Sequence, residues 1–213
     1  MAAFHIILGA PKTEKIKPFI KDHGIVIGVD RGAVLALEEG IQVDVALGDF
    51  DSISEEEMTT IKNRVQKVID HPSDKDDTDT ELALLYALEH TEEESINIYN
   101  WYGGRIDHLY SILLLSLQER FQSLIERLHL VSAKNNISYY LPGEHIVQKI
   151  ESMDYLSYVL LTEVKALTLK DVKYELNEES FNRPVALISN EFIGEEASFS
   201  FEEGIVAVIQ SND

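Results

Sequence analysis

Up to about residue 120 the chain alternates short apolar runs with segments of helical period, and this alternation restricts the fold more than any other feature. The runs are FHIIL from Phe4, GIVIGVD from Gly24, VDVAL from Val43, RVQKVID from Arg64 and SINIYN from Ser95. Between them stand TEKIKPFIKDH, GAVLALEEG, SEEEMTTIKNR and DTELALLYALEH, and RIDHLYSILLLSLQERF follows the last. Strands alternating with helices predict an α/β fold with a mostly parallel sheet and helices on both faces. Ligands of such sheets bind outside the carboxyl ends of the strands. The polar residues just after each apolar run are therefore the first candidates for function.

From about residue 128 the helical period fades. LHLVSA, ISYYL, HIVQKI, YLSYVLL, KALTLKDV, VALISNEF, ASFSFE and GIVAVIQS are short and rich in β-branched and aromatic residues, with turn signals such as LPGE and EEG between them. Short strands at such spacing predict a small C-terminal antiparallel β-sandwich. Two domains are expected, 1–125 for the α/β part and 126–213 for the sandwich, divided by a change of period rather than by a linker.

Composition narrows the chemistry. The chain has no cysteine, which excludes disulfides, thiolate metal sites and a cysteine nucleophile. Its 18 Lys and Arg against 38 Asp and Glu give a formal charge of −20. Such a surface repels a phosphate backbone, so nucleic acid is not an expected partner. The N-terminal apolar run is too short to span a membrane and has no basic flank, so a cytoplasmic protein with no membrane partner is expected. If the ligand is a phosphate, much of the neutralising charge must come from bound metal.

Four segments carry residues suited to that chemistry. In VDVALGDFDSI, Gly48 lets the backbone turn and Asp49 and Asp51 follow a buried strand. If the segment stays extended, residues two apart point the same way. Both carboxylates would then ligate one hard cation such as magnesium, with Phe50 in the core. The alternative is a plain surface turn, which Asp and Ser also favour. In HPSDKDDTDTELALLYALEH, Thr78 and Glu81 form a capping box that starts a helix near Asp79. The preceding Asp74, Asp76 and Asp77 crowd more negative charge than a cap requires, which favours a cation or a basic partner. Asp79 is the best-placed ligand there, and Lys75 could touch a phosphate.

In WYGGRIDHLYSILLL, Gly103 and Gly104 open a helix and offer free amides to an anion. Arg105 adds a planar donor suited to phosphate; pairing with a surface acid is its alternative. Asp107 and His108 could orient it or meet substrate, and Trp101 could stack on a ring or enter the core. In GVDRGAVLALEEG, Asp30 again follows an apolar run and either caps the next helix or binds ligand. His5, His23, His71, His90, His129 and His145 show no metal-ligand spacing and read as structural or surface residues. All four segments follow strand-like runs of one sheet, so they should converge on one edge as a magnesium-dependent site for a polyphosphate.

The motifs DRG, GDFDS, DKDDTDTELAL and GGRIDH, in this order and spacing, resemble thiamine pyrophosphokinase, as do KYEL, ISNEF and EEGIVAVIQS in the C-terminal part. The resemblance implies a Rossmann-like domain followed by a β-sandwich. It implies transfer of the pyrophosphoryl group of ATP to the hydroxyl of thiamine, with magnesium, releasing AMP. It also implies a homodimer with active sites at the subunit interface. Asp49, Asp51 and Asp79 would be the metal ligands, with Asp49, Asp51, Asp79, Arg105 and Asp107 catalytic. Asp30, Lys75, Asp76, Thr78, Gly103, Gly104, Arg105 and Asp107 would surround ATP and the transferred group. Ser52, Ser189 and Asn190 would lie near thiamine. The rival readings are another magnesium-dependent enzyme with an Asp-x-Asp site, such as a phosphatase with Asp49 as nucleophile, and a non-catalytic nucleotide or divalent-ion sensor.

Overall fold

A computed structural model describes residues 3–11, 14–21, 23–72, 74, 76–90 and 94–213. The chain forms two compact units, Met1–Gln118 with Arg127–Ser132, and Glu119–Glu126 with Ala133–Asp213.

In the first unit, strands β1 (Phe4–Ile7), β2 (Ile25–Val29), β3 (Val45–Gly48), β4 (Lys67–Asp70), β5 (Ile96–Tyr99) and β6 (Leu128–Val131) lie in the order β6-β5-β1-β2-β3-β4. Every neighbouring pair is parallel. All positions of β1 and β3 are buried, as expected of parallel strands covered on both faces. Helices α1 (Arg31–Glu38), α2 (Glu55–Arg64), α3 (Asp79–His90) and α4 (Ile106–Leu113) join them. The strand order turns back at β1, with β2 on one side and β5 on the other, the place where sheets of this kind bind their ligands at the carboxyl edge. The core includes Ile7, Val34, Leu37, Phe50, Ile61 and Tyr99.

Three segments differ from the sequence expectation. Within TEKIKPFIKDH the described residues hold only a 3-10 turn at Lys17–Phe19. Pro18 lacks the amide and has the ring that bars an α-helix interior. The last helix ends at Leu113, and the chain continues through 3-10 turns at Leu115–Leu117 and Glu119–Arg127. Both Leu115 and Ser116 are buried where the helix gives way to these turns, so tertiary packing rather than helix propensity decides this stretch. Leu128–Val131, grouped by period with the antiparallel strands, pairs parallel with β5 instead. A four-residue apolar strand does not reveal the direction of its neighbour.

In the second unit, β7 (Asn135–Tyr140), β8 (Gly143–Gln148), β9 (Tyr155–Leu160), β10 (Val164–Lys170), β11 (Leu176–Phe181), β12 (Val185–Asn190), β13 (Glu196–Phe201) and β14 (Val206–Ser211) are antiparallel. They run in the orders β12-β9-β14-β7 and β11-β10-β13-β8. Leu156, Tyr158, Leu167, Phe199 and Val208 fill the core between the two layers. Strand β11 escapes sequence reading because it is a polar edge strand whose four central residues are exposed. Phe199 has Tyr140, Tyr158 and Phe201 as ring neighbours at 5.1, 5.3 and 6.2 Å. Phe199→Ala is expected to cost about 3–5 kcal/mol, read as a lower urea midpoint with an unchanged slope.

Candidate active site

The carboxyl edge of the parallel sheet gathers three acids. Asp30 follows β2, Asp49 follows β3, and Asp79 begins α3 after β4. Each offers a carboxylate oxygen within 4.8 Å of the others, and each is half-buried.

The backbone around them is shaped for this approach. Asp30 adopts φ +47° and makes no side-chain bond to the helix it precedes. Its Oδ1 instead accepts from the Phe50 amide at 3.2 Å. Phe50 has φ +56° and is buried, as its place between two acids suggested. Gly48 has φ +151°, and a Cβ there would lie 1.8 Å from the Asp30 Oδ1. Only glycine lets β3 end against that carboxylate. Asp79 is placed by the predicted capping box. The Thr78 amide donates to the Glu81 Oε2 at 2.8 Å, and the Glu81 amide donates to the Thr78 Oγ1 at 3.3 Å. Gln118 donates to the other Glu81 oxygen at 2.6 Å, which holds the start of α3.

Asp51 stands apart from this group. The left-handed Phe50 breaks the extended backbone that would have aligned Asp49 with Asp51. Asp51 and Ser52 occupy an exposed turn, where the Asp51 amide donates to the Asp49 Oδ1 at 3.2 Å. Asp30 takes the third place in the cluster. Its strand-end position was visible in the sequence, but its unusual φ was not. Asp74 and Asp76 are exposed, and Lys75 lies outside the described residues.

After β5, Gly103 (φ +96°), Gly104 and Arg105 lead into α4 and are all exposed. Asp107 receives two bonds from Arg105, at 3.2 and 2.5 Å, so the expected pairing with an acid is local. The pair holds the Asp107 carboxyl below its ordinary range and strengthens the charge on Arg105. Trp101 is in the core. In the sandwich, Ser189 is exposed at φ +59° on a bulge of β12. Asn190 is buried, and its carboxamide bonds the Tyr174 amide and carbonyl and the Glu191 amide. It therefore shapes this segment from within.

Models of two known families match the chain: the thiamin pyrophosphokinase catalytic domain over residues 16–126, and the thiamin pyrophosphokinase vitamin B1 binding domain over 144–206. The thiamine pyrophosphokinase of Bacillus subtilis (strain 168) is 36% identical over 217 residues, covering all of both chains. The chain belongs to the thiamine pyrophosphokinase family. It is an enzyme of that family, and solved structures agree with the assignment. A thiamin pyrophosphokinase family protein from Enterococcus faecalis superposes with a TM-score of 0.94 at 40% identity, covering all of both chains. The thiamine pyrophosphokinase of B. subtilis superposes at 0.87 with 33% identity over 99% of each chain.

Burial, and next the charge of Asp79, push the Asp30 carboxyl up to about 7 from an ordinary 3.8. The folded chain thus holds that proton up to about pH 7, whereas the unfolded chain releases it near 3.8. Between these values Asp30 makes the metal-free fold less stable as pH rises. Asp30→Asn removes the effect. Its gain in melting temperature over the parent, measured in a chelator, should be small at pH 4 and distinctly larger at pH 8.

Proposed function

We propose that this enzyme transfers the pyrophosphoryl group of ATP to the hydroxyl of thiamine, giving thiamine diphosphate and AMP, with magnesium as cofactor. The observation that carries the reading is the convergence of Asp30, Asp49 and Asp79 at the carboxyl edge of a parallel sheet, in a chain of this family. Three clustered carboxylates are a hard-oxygen donor set suited to magnesium, which also takes phosphate oxygens and waters. Asp30, Asp49 and Asp79 would hold the ion, with Asp51 beside them in the next turn. When bound, it supplies positive charge to the phosphate oxygens.

The remaining work is positioning, because phosphoryl-group transfer needs little covalent help from protein. The thiamine hydroxyl oxygen forms a bond to the β-phosphorus of ATP, and its proton passes to a carboxylate of the acidic cluster. The bond from that phosphorus to the AMP oxygen breaks, in line with the attack. Arg105, kept charged and oriented by Asp107, faces the phosphates from the start of α4, and the Gly103 and Gly104 amides add donors there. Asp76 and Thr78 belong to the same ATP-side wall. Ser52 and the exposed Ser189 are the residues offered to thiamine, with Asn190 fixing the Ser189 segment.

A homodimer is part of the proposal. Ile106, Tyr110, Leu114 and Leu117 are 65, 61, 46 and 40% exposed. Their spacing sets them along one side of α4 and the turn after it, an apolar stripe suited to a second copy of the chain. No helix among the described residues is long and apolar enough to cross a membrane. We place the enzyme in the cytoplasm, where its donor ATP is made.

Purified protein with magnesium, ATP and thiamine should release AMP and form thiamine diphosphate, read by chromatography. Asp49→Asn should lower the rate at least about 100-fold with an unchanged circular dichroism spectrum. Release of ADP, or a phosphoenzyme on Asp49, would overturn the reading. Light scattering at micromolar concentration should show a dimer, and Tyr110→Glu should shift it toward monomer.

A further inference from the structure

Asn100 directly follows β5 at the place where the strand order turns back, and nothing in the reaction outlined above uses it. It has φ +53° and is 2% exposed. Asparagine is among the few residues that adopt this left-handed backbone at low cost. Its Nδ2 donates to the Leu8 carbonyl at 2.9 Å and to the Ala10 carbonyl at 2.6 Å. Two carbonyl partners fix which end of the amide is nitrogen. The buried Oδ1 has no partner among the described residues, so the side chain acts through its donors alone.

Those two bonds join the loop after β1 to the loop after β5. The second join lies nearby: a Cβ on Gly104 would come within 2.9 Å of the Pro11 Cδ, so the two loops touch where glycine leaves room. The β1 loop is bounded on its other side by the start of α1, since a Cβ on Gly9 would lie 3.2 Å from the Arg31 Cβ. Beside the Leu8 amide, which donates to the Tyr99 carbonyl at 3.1 Å, the buried Asn100 amide is the side-chain tie between the β1 loop and the chain that leads to Gly103, Gly104 and Arg105.

We propose that Asn100 is a positioning residue for the nucleotide donor: it clamps the Leu8–Ala10 backbone to the loop carrying Gly103, Gly104 and Arg105, and so holds the phosphate-facing amides in register. This rests on the assignment of that loop to ATP. The residue acts on donor binding, not on thiamine and not on the carboxylate cluster.

Asn100→Gly isolates the clamp, because glycine keeps the left-handed backbone and deletes only the amide. The expected result is a rise of about tenfold in KM for ATP, the scale of one lost ordered hydrogen bond, with KM for thiamine unchanged. Hydrogen exchange on the metal-free protein should show faster exchange at Gly9, Ala10, Gly103 and Gly104, with α3 unchanged. An unchanged KM for ATP, or equal rises for both substrates, overturns the proposal, since the latter marks a merely structural residue. Unchanged exchange in both loops overturns it too. Should Asn100→Gly fail to fold, Asn100→Asp keeps shape and backbone while replacing the donors with acceptors, and is read by the same criteria. A parent enzyme that forms thiamine diphosphate only with another nucleoside triphosphate overturns the ATP reading alone. The KM split is then measured with that donor.

Discussion

Three carboxylates held within 4.8 Å of one another are the arrangement around which the catalytic unit is organised. Like charges at that separation repel, and burial of Asp30 adds a desolvation cost that raises its proton affinity. The fold offsets this with backbone that leaves the acids little choice. The ends of β2 and β3 are left-handed at Asp30 and Phe50, and Gly48 lets the Asp30 carboxylate sit against the strand. Unusual backbone of this kind persists only where the surroundings over-determine it. The buried Phe50 ring and the Phe50 amide bonded to Asp30 supply that constraint.

The carboxyl edge divides into two chemistries. On the β2–β4 side the side chains are anionic and suited to a cation. On the β5 side, two glycines and Arg105 open a helix suited to an anion. The strand order separates them across β1, where a polyphosphate would meet donors of both signs. A chain of formal charge −20 would accept the proposed anionic donor through positive contributions that are local.

Much of this was legible in the residues themselves. The strand–helix alternation, the start of α3 at Asp79, the Thr78–Glu81 capping box and the burial of Phe50 all follow from local pattern, and local pattern is what hydrogen-bonded turns and periodic faces depend on. Other features were not. The extended premise that paired Asp49 with Asp51 failed at one φ angle, and β11 was hidden by its polar, edge-strand composition. Leu128–Val131 joined the parallel sheet because pairing direction is set by a neighbour distant in sequence.

The sequence by itself determined the fold class and the family, and it named Asp30, Asp49 and Asp79 as candidates, since motif order and period survive without coordinates. Tertiary structure alone decided that Asp30, rather than Asp51, shares the cluster with Asp49 and Asp79. It also decided that Asn100 ties two loops together across 90 or more positions of chain. The physical reason is the same in both cases. A carboxylate or amide acts through distances of a few ångströms, and those distances depend on left-handed backbone and strand order, which no single segment encodes.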